Sequence, residues 1–149
     1  MTEGNIPIEN SPEQNDLYWA KAKLLLDDDD PSMKNRGMTH LLIRMAPKLL
    51  EENYDIYREG FDLTIQALAL EDNDVCSYYT TRYCAICILA NVLEQIQEDP
   101  KVEYSSIYAE AALAIEDKAN DKQEHKIVRV LAKDAVRKYL KGERKRIFR

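Results

Sequence analysis

Glycine, proline and long apolar runs are scarce in this sequence. Only 4 glycines and 5 prolines occur among 149 residues. Together with the many Ala, Leu, Glu, Asp and Lys residues, this scarcity favours helix over sheet. No run of about 18 apolar residues occurs, so we expect no membrane-spanning helix. Residues 1–13 are acidic and polar, which is not the composition of a signal peptide.

Cysteine is also scarce. Three cysteines without an export signal predict a reduced, cytoplasmic protein. Cys84 and Cys87 form a CxxC motif, with Cys76 eight residues before the first of them, and a zinc or redox site is one interpretation. Zinc needs four ligands, however, and neither a second CxxC nor a histidine pair is near. Because the segment has the composition of an apolar helix, we interpret these residues as core cysteines and predict no metal or cofactor.

No arrangement of residues predicts catalysis. The two histidines, His40 and His125, lie far apart in the sequence. Neither has a nucleophile at a spacing that would form a catalytic pair. We therefore expect a protein that is not an enzyme.

Charge is distributed unevenly along the chain. The net charge is −6 overall, with −6 in residues 1–30, −8 in residues 31–121 and +8 in residues 122–149. An acidic protein with one basic end suggests a macromolecular partner or a neighbouring copy, more than bulk binding to nucleic acid.

Apolar periodicity predicts six helices within a single domain at residues 11–142. A flexible tail at residues 1–10 precedes this domain, and a basic tail at residues 143–149 follows it. The last helix is expected over residues 122–141, and its inward residues are expected to be Ile127, Val130, Leu131, Ala135 and Leu140.

Three features recur in the same order and indicate a repeat of helix pairs. An aliphatic residue followed by two acids ends the first, third and fifth predicted helices, at offsets of 44 and 45 residues. A capping aspartate follows each triplet, and an arginine comes early in each next helix, at offsets of 46 and 47 residues. These repeat residues are Asp30, Arg36, Asp74, Arg82, Asp121 and Arg129. One helix pair cannot bury its own apolar face, whereas three stacked pairs can.

The segment Asp30-Pro31-Ser32-Met33-Lys34-Asn35-Arg36 resembles the inter-helix signature of HEAT repeats. In that family an aspartate before the second helix and an arginine six residues later recur, and they commonly bond across neighbouring repeats. Asp30 and Arg36 match this spacing, while Asn35 stands where the family usually has valine.

The later units depart from the family spacing. Asp74 and Arg82 are eight residues apart, as are Asp121 and Arg129, although Val128 restores the usual valine before the arginine. The resemblance implies three stacked antiparallel helix pairs in a short α-solenoid, with the arginines bonding the aspartates between units. It implies binding of proteins or nucleic acids and no activity. A six-helix up-and-down bundle would use the same apolar stripes and short turns, and is the structural alternative.

The basic end gives the strongest functional signal. Cations at i, i+3 and i+4 spacing form a stripe on the last predicted helix, and the tail extends it. The predicted partner-binding cations are Arg137, Lys138, Lys141, Arg144, Lys145 and Arg146. Such a stripe can contact phosphates or an acidic protein, or can instead favour the helix dipole and the outer face of a capping helix.

Tyr78 is the predicted aromatic contact with a partner. Nine tyrosines occur in the chain, and tyrosine is enriched at interfaces. Tyr79 and Tyr83 share one helix face that is expected to be core, and Tyr78 lies off that face.

These observations predict a non-catalytic protein–protein interaction module: an adaptor, an assembly factor or an immunity-type inhibitor. The alternative is a nucleic-acid-binding helical protein that uses the basic C-terminal helix and tail. The acidic first helix and the basic last helix also predict head-to-tail self-association between copies.

Overall fold

The computed structural model describes residues 22–44, 54–99, 101 and 104–140. Helical residues 22–27 form α1, and the helices that follow are α2 (Pro31–Arg44), α3 (Tyr54–Leu68), α4 (Tyr79–Glu98), α5 (Ser105–Asn120) and α6 (Lys126–Ala135). A π-helical turn, Val136–Leu140, continues α6. These ranges contain helices and turns and no strand, so the prediction of an all-α protein is confirmed.

Helix α4 lies at the centre of the described structure and packs against α2, α3, α5 and α6. Apolar residues occupy most of its circumference, as expected for a helix that other helices surround. Its buried apolar side chains are Ala85, Ile86, Ile88, Leu89, Val92, Leu93 and Ile96. Tyr57 and Phe61 of α3, Ile107 of α5 and Val128 of α6 complete the core around them.

The turn between α1 and α2 forms as the sequence predicts. The Asp30 Oδ1 atom accepts a hydrogen bond from the backbone N–H of Ser32 at 2.9 Å, and Pro31 is the first residue of α2. Gly37 lets the two helices approach closely. A Cβ atom at this position would lie 2.9 Å from Leu26 Cγ and 3.1 Å from the Ala22 carbonyl oxygen.

The prediction that Asp74 caps the next helix is wrong, since α4 begins at Tyr79. The Asn73 side chain accepts hydrogen bonds from the backbone N–H groups of Val75 and Cys76, at 2.9 and 2.7 Å. The Asp72 carboxylate accepts one from the N–H of Tyr78 at 2.7 Å. These local bonds hold residues 72–78 in a turn and delay the helix.

The prediction that Asp121 caps the last helix is also wrong. Its carboxylate accepts a hydrogen bond from the Gln123 N–H at 2.9 Å, within a turn, and α6 begins at Lys126. His125 is the N-cap residue, and its Nδ1 accepts from the N–H of Ile127 at 3.2 Å.

The inward face of the last helix agrees with the predicted one at Ala135 and Leu140, which are buried, and differs from it at Ile127 and Val130. Val128, Ala132 and Ala135 are buried, while Ile127 and Val130 are 49% and 55% exposed. Glu124 lies four residues before Val128, and its side chain is only 2% exposed because it forms ion pairs inside the protein. The buried Glu124 carboxylate therefore helps to set the rotation of α6 about its axis. Apolar periodicity alone does not predict this rotation, because it takes no account of a buried charge.

Several predictions lie outside the described residues: the tails at 1–10 and 143–149, and the partner-binding cations Lys141, Arg144, Lys145 and Arg146. Where the structure describes the chain, none of its helices combines the length and apolar character that crossing a membrane requires.

Candidate interaction surface on the last helix

Consecutive turns of the fold are bonded to one another. The Tyr78 hydroxyl donates to the Asp29 carbonyl oxygen at 2.9 Å, which joins the turn before α4 to the turn before α2. The Asn35 side chain meets the first turn of α4 through the hydroxyls of Thr80 and Thr81, at 2.7 and 2.5 Å. The start of α4 is therefore anchored to α2 by side chains from both elements.

Arg82 joins the same turn to the one before α6. Its side chain is 6% exposed, and its Nη2 lies 2.8 Å from Glu124 Oε1. Its Nη1 donates to the Asp72 carboxylate at 2.8 Å and to the Leu70 carbonyl oxygen at 3.0 Å. Lys118 Nζ approaches the other oxygen of Glu124 at 3.0 Å. We call Arg82, Asp72, Lys118 and Glu124 the Arg82 cluster.

Both carboxylates of this cluster are stabilised in their charged form. Hydrogen bonds from Arg82 and from the Tyr78 backbone lower the pKa of Asp72 to about 2. Burial acts to raise the pKa of Glu124, but hydrogen bonds from Arg82 and Lys118 outweigh it and leave that pKa below its ordinary value. Both Asp72 and Glu124 therefore carry a negative charge at neutral pH.

The Arg82 cluster differs from the aspartate–arginine pairing that the repeat implied. Arg82 binds Asp72 and Glu124, whereas Asp74 is exposed. Arg36 is exposed, and its guanidinium lies 3.8 Å from Met33 Sδ. Arg129 donates to the Lys122 carbonyl oxygen at 3.3 Å. Among the three repeat arginines, all of which lie in the described residues, only Arg82 thus forms ion pairs with acids.

The first turn of α6 is also held by an aromatic stack. The rings of His125 and Tyr79 are parallel to within 6°, with centroids 4.0 Å apart. The backbone N–H of His125 donates to the Glu124 carboxylate at 2.7 Å. Because Glu124 is itself held by Arg82 and Lys118, the N-terminus of α6 has a fixed position on α4 and α5.

The other end of α6 is fixed at the π-helical turn. The Gln97 side-chain amide donates to the Tyr139 carbonyl oxygen at 2.6 Å, and the Tyr108 hydroxyl reaches the same oxygen at 3.4 Å. Side chains of α4 and α5 thus bond to the backbone of the π-helical turn. With both ends held, the outward face of α6 has a defined orientation.

This outward face combines apolar and basic side chains. Ile127 and Val130 are about half exposed and lie three residues apart. The exposed cations Lys126, Lys133 and Arg137 share one helical stripe with Val130, and Ile127 lies beside that stripe. We call these five residues the α6 face.

A shallow groove of about 340 Å³ runs beside the α6 face, between α4 and α6. Cys87 and Ala90 line it from α4, and Leu131 and Lys138 from α6. Asp134 lies at the groove and pairs with Arg137 at 2.7 Å and with Lys138 at 3.4 Å, and these pairs lower its pKa. The predicted contacts Arg137 and Lys138 thus have side chains 69% and 62% exposed, with one acid between them.

Tyr78 does not belong to this surface. Its side chain is buried, at 6% exposure, and its hydroxyl is used within the fold. The structure corrects the expectation that Tyr78 faces a partner. Tyr79 and Tyr83 pack partly buried against the core, as their shared helix face predicts.

The cysteines are free thiols, each partly buried. Burial raises the pKa of Cys84 and of Cys87, which keeps both protonated and weakly nucleophilic at neutral pH. In the part of the chain that the structure describes, no three His, Cys, Asp or Glu side chains are grouped so as to hold a metal ion.

The sequence predicts Arg137 as a partner contact and Arg82 as a structural residue, but it does not single out Glu124, Asp72, Ile127 or Val130 as parts of this surface. Glu124 and Asp72 have no motif that sets them apart from other acids of the chain. The sequence does contain a signal that Ile127 and Val130 are exposed. Cations flank them at helical spacing, and the other face of the same helix is also apolar.

The comparisons with known proteins identify no relative. No protein-family model matches the chain, and no match was found among curated proteins or among solved structures.

Proposed function

We propose that the protein is a non-catalytic interaction module, built from three stacked helix pairs, which binds another protein through the α6 face. The pairs are α1–α2, α3–α4 and α5–α6. The central position of α4 between α2 and α6 supports a stack of this kind, as do the side chains that bond each turn to the next.

The composition of the α6 face carries the proposal. Among the described residues, five large apolar side chains are exposed, and Ile127 and Val130 are two of them on adjacent turns of one helix. Exposed apolar residues grouped within a polar rim are characteristic of surfaces that bind other proteins. The anchors at both ends of α6 hold this group in place, so a partner would meet a preformed surface.

The chemistry of the α6 face favours an acidic, amphipathic partner helix. Lys126, Lys133 and Arg137 would pair with its acids, and Ile127 and Val130 would meet its apolar stripe. The groove beside the face would admit side chains at the edge of that helix.

Affinity capture with matched variants tests the proposal. The parent protein, Ile127→Asp/Val130→Asp and Leu113→Asp are each used as bait in a lysate of the native host treated with nuclease. Leu113 is 62% exposed on α5, so its variant adds an acid to another exposed apolar site. We expect one stoichiometric protein that the α6 variant loses and the Leu113 variant retains.

Purified partner then allows a quantitative measurement. We expect Ile127→Asp/Val130→Asp to weaken binding at least about tenfold, since a buried apolar contact becomes a buried charge. Equal binding by all three baits, or no stoichiometric partner for the parent, would rule out this role for the α6 face.

Nucleic-acid binding is the second candidate, and the exposed cations favour it. Lys126, Lys133, Arg137 and Lys138 are all exposed along α6. Counterion release would make such binding fall steeply with salt. Fluorescence anisotropy with labelled RNA and DNA, at two salt concentrations, should show that fall for the parent and a shallower one for Arg137→Glu/Lys138→Glu. Identical curves for parent and variant would exclude this candidate.

A further inference from the structure

We infer that one partner of the α6 face is a second copy of this chain, which binds through its exposed α1 end and the acidic turn that follows. The inference rests on the proposed function, because it names an occupant for the same face. Copies would then join head to tail.

The bonds between helix pairs suggest this arrangement. Arg82, in the second pair, reaches Glu124 in the turn of the third pair at 2.8 Å. Arg129 stands 47 residues later, at the equivalent position of the third pair. Its guanidinium donates to the Lys122 carbonyl oxygen of its own turn, at 3.3 Å. A fourth pair would present its turn to Arg129 as the third pair does to Arg82.

The first pair of another copy has the chemistry to fill that place. Asp27 at the end of α1 is exposed, and so are Asp28, Asp29 and Asp30 in the turn that follows it. Leu24, three residues before Asp27 on α1, is 74% exposed. The neighbouring Lys23 is paired with Glu59 and does not offset these acids.

The α1 end and the α6 face are complementary in charge, and both present apolar side chains. One presents a leucine beside four carboxylates, and the other presents Ile127 and Val130 among Lys126, Lys133 and Arg137. Of the five exposed large apolar side chains in the described residues, three lie on these two helices. In the proposed stack α1 and α6 belong to opposite ends, so the contact joins different surfaces and continues from copy to copy.

Sedimentation velocity over a range of protein concentrations, at about 50 mM and about 500 mM salt, measures the assembly. We expect the parent to form species larger than a monomer at low salt, growing with concentration, and to dissociate at high salt. Two charge-reversed variants are compared with it: Lys126→Glu/Lys133→Glu, and Asp27→Lys/Asp28→Lys/Asp29→Lys, which keeps the Asp30 cap and makes the turn basic.

These substitutions suit the local structure. A glutamate at the first position of α6 and lysines at the end of α1 both favour their helix dipoles. Circular dichroism and thermal unfolding confirm that each variant is folded. Glu71→Lys/Asp74→Lys, which changes exposed acids in the turn before α4, is the matched control and should assemble as the parent does.

Each end variant alone should remain a monomer, because its two ends then carry like charge. An equimolar mixture of both should recover assembly, because the acidic α6 face of one variant meets the basic α1 end of the other. A parent that stays monomeric at low salt, or a mixture that fails to assemble, overturns the inference. The proposed function would survive either result if a host partner is still captured by the parent and lost by Ile127→Asp/Val130→Asp.

Discussion

Two ion-pair clusters flank α6 and differ in their surroundings. At its N-terminus, Arg82 and Glu124 have side chains 6% and 2% exposed. In its last turns, Arg137 and Asp134 have side chains 69% and 35% exposed. Both contacts are short, at 2.8 and 2.7 Å, so distance does not distinguish them. Burial does distinguish them. Water weakens the exposed pair and can replace either of its partners, whereas a buried group that loses its partner has no water to replace it.

This difference separates structural charges from charges available to a partner. The Arg82 cluster fixes where α6 lies, and its two buried members, Arg82 and Glu124, have little free surface to offer. The cations of the α6 face are exposed to water, and their charges can form new ion pairs with a partner. One helix thus depends on charge for its position at one end and presents charge along its outward face.

The largest effect should follow from removing the buried cation. Arg82→Met leaves Glu124 buried with Lys118 as its remaining cation and leaves Asp72 without its ion pair. Breaking a buried pair on one side costs about 3–5 kcal/mol of unfolding free energy. Urea unfolding measures this loss, and Arg137→Met serves as the matched exposed control. If both variants unfold at the same urea concentration, burial is not what separates the clusters.

A smaller net change in unfolding free energy should follow from removing both Arg82 and Glu124. Arg82→Met/Glu124→Met replaces a buried pair by apolar side chains, and such replacements are often neutral or stabilising. We expect the double variant to recover most of the stability that Arg82→Met loses. A double variant as unstable as the single one would show that Arg82 acts mainly through Asp72 and the Leu70 carbonyl.

Part of the fold can be predicted from the sequence, and part of it cannot. The α2 start at Pro31 with its Asp30 cap follows from local rules, and the structure agrees. The start of α4 does not, because Asn73 and Asp72 hold a turn that competes with the Asp74 cap. The rotation of α6 depends on Glu124, whose partners Arg82 and Lys118 come from other helices. Periodicity within one helix carries no information about contacts between residues that are distant in the sequence.

Acid should weaken the protein through the same cluster. The folded-state pKa values of Asp72 and Glu124 lie below their ordinary values of 3.8 and 4.5. Groups of this kind stabilise the fold fully above the unfolded-state pKa, and that stability is lost as pH falls toward the folded-state value, about 2 for Asp72. Unfolding free energy should therefore fall from about pH 5 downward.

The Arg82→Met variant supplies the comparison for this measurement. Its unfolding free energy should depend less steeply on pH between about 5 and 2, because the cation that lowers both pKa values is gone. Equal slopes for parent and variant would assign acid sensitivity to other carboxylates.

The smallest effect is expected at the exposed cluster. Arg137→Met/Lys138→Met removes both partners of Asp134, which water can replace. The urea midpoint should stay within experimental error of the parent value. A clear loss of stability would mean that these cations are structural, and it would count against their availability to a partner.

The hydrogen bonds and ion pairs between turns have a consequence for how the protein unfolds. Asn35 and Thr80, Arg82 and Glu124, and Asp29 and Tyr78 are separated by 45, 42 and 49 residues. Helix pairs that touch only through apolar side chains can unfold one at a time from either end of an array. Here, opening one turn breaks polar contacts that hold the next turn, so partial unfolding is penalised. In native-state hydrogen exchange, we therefore expect α4 and the first turn of α6 to exchange together, as one cooperative unit.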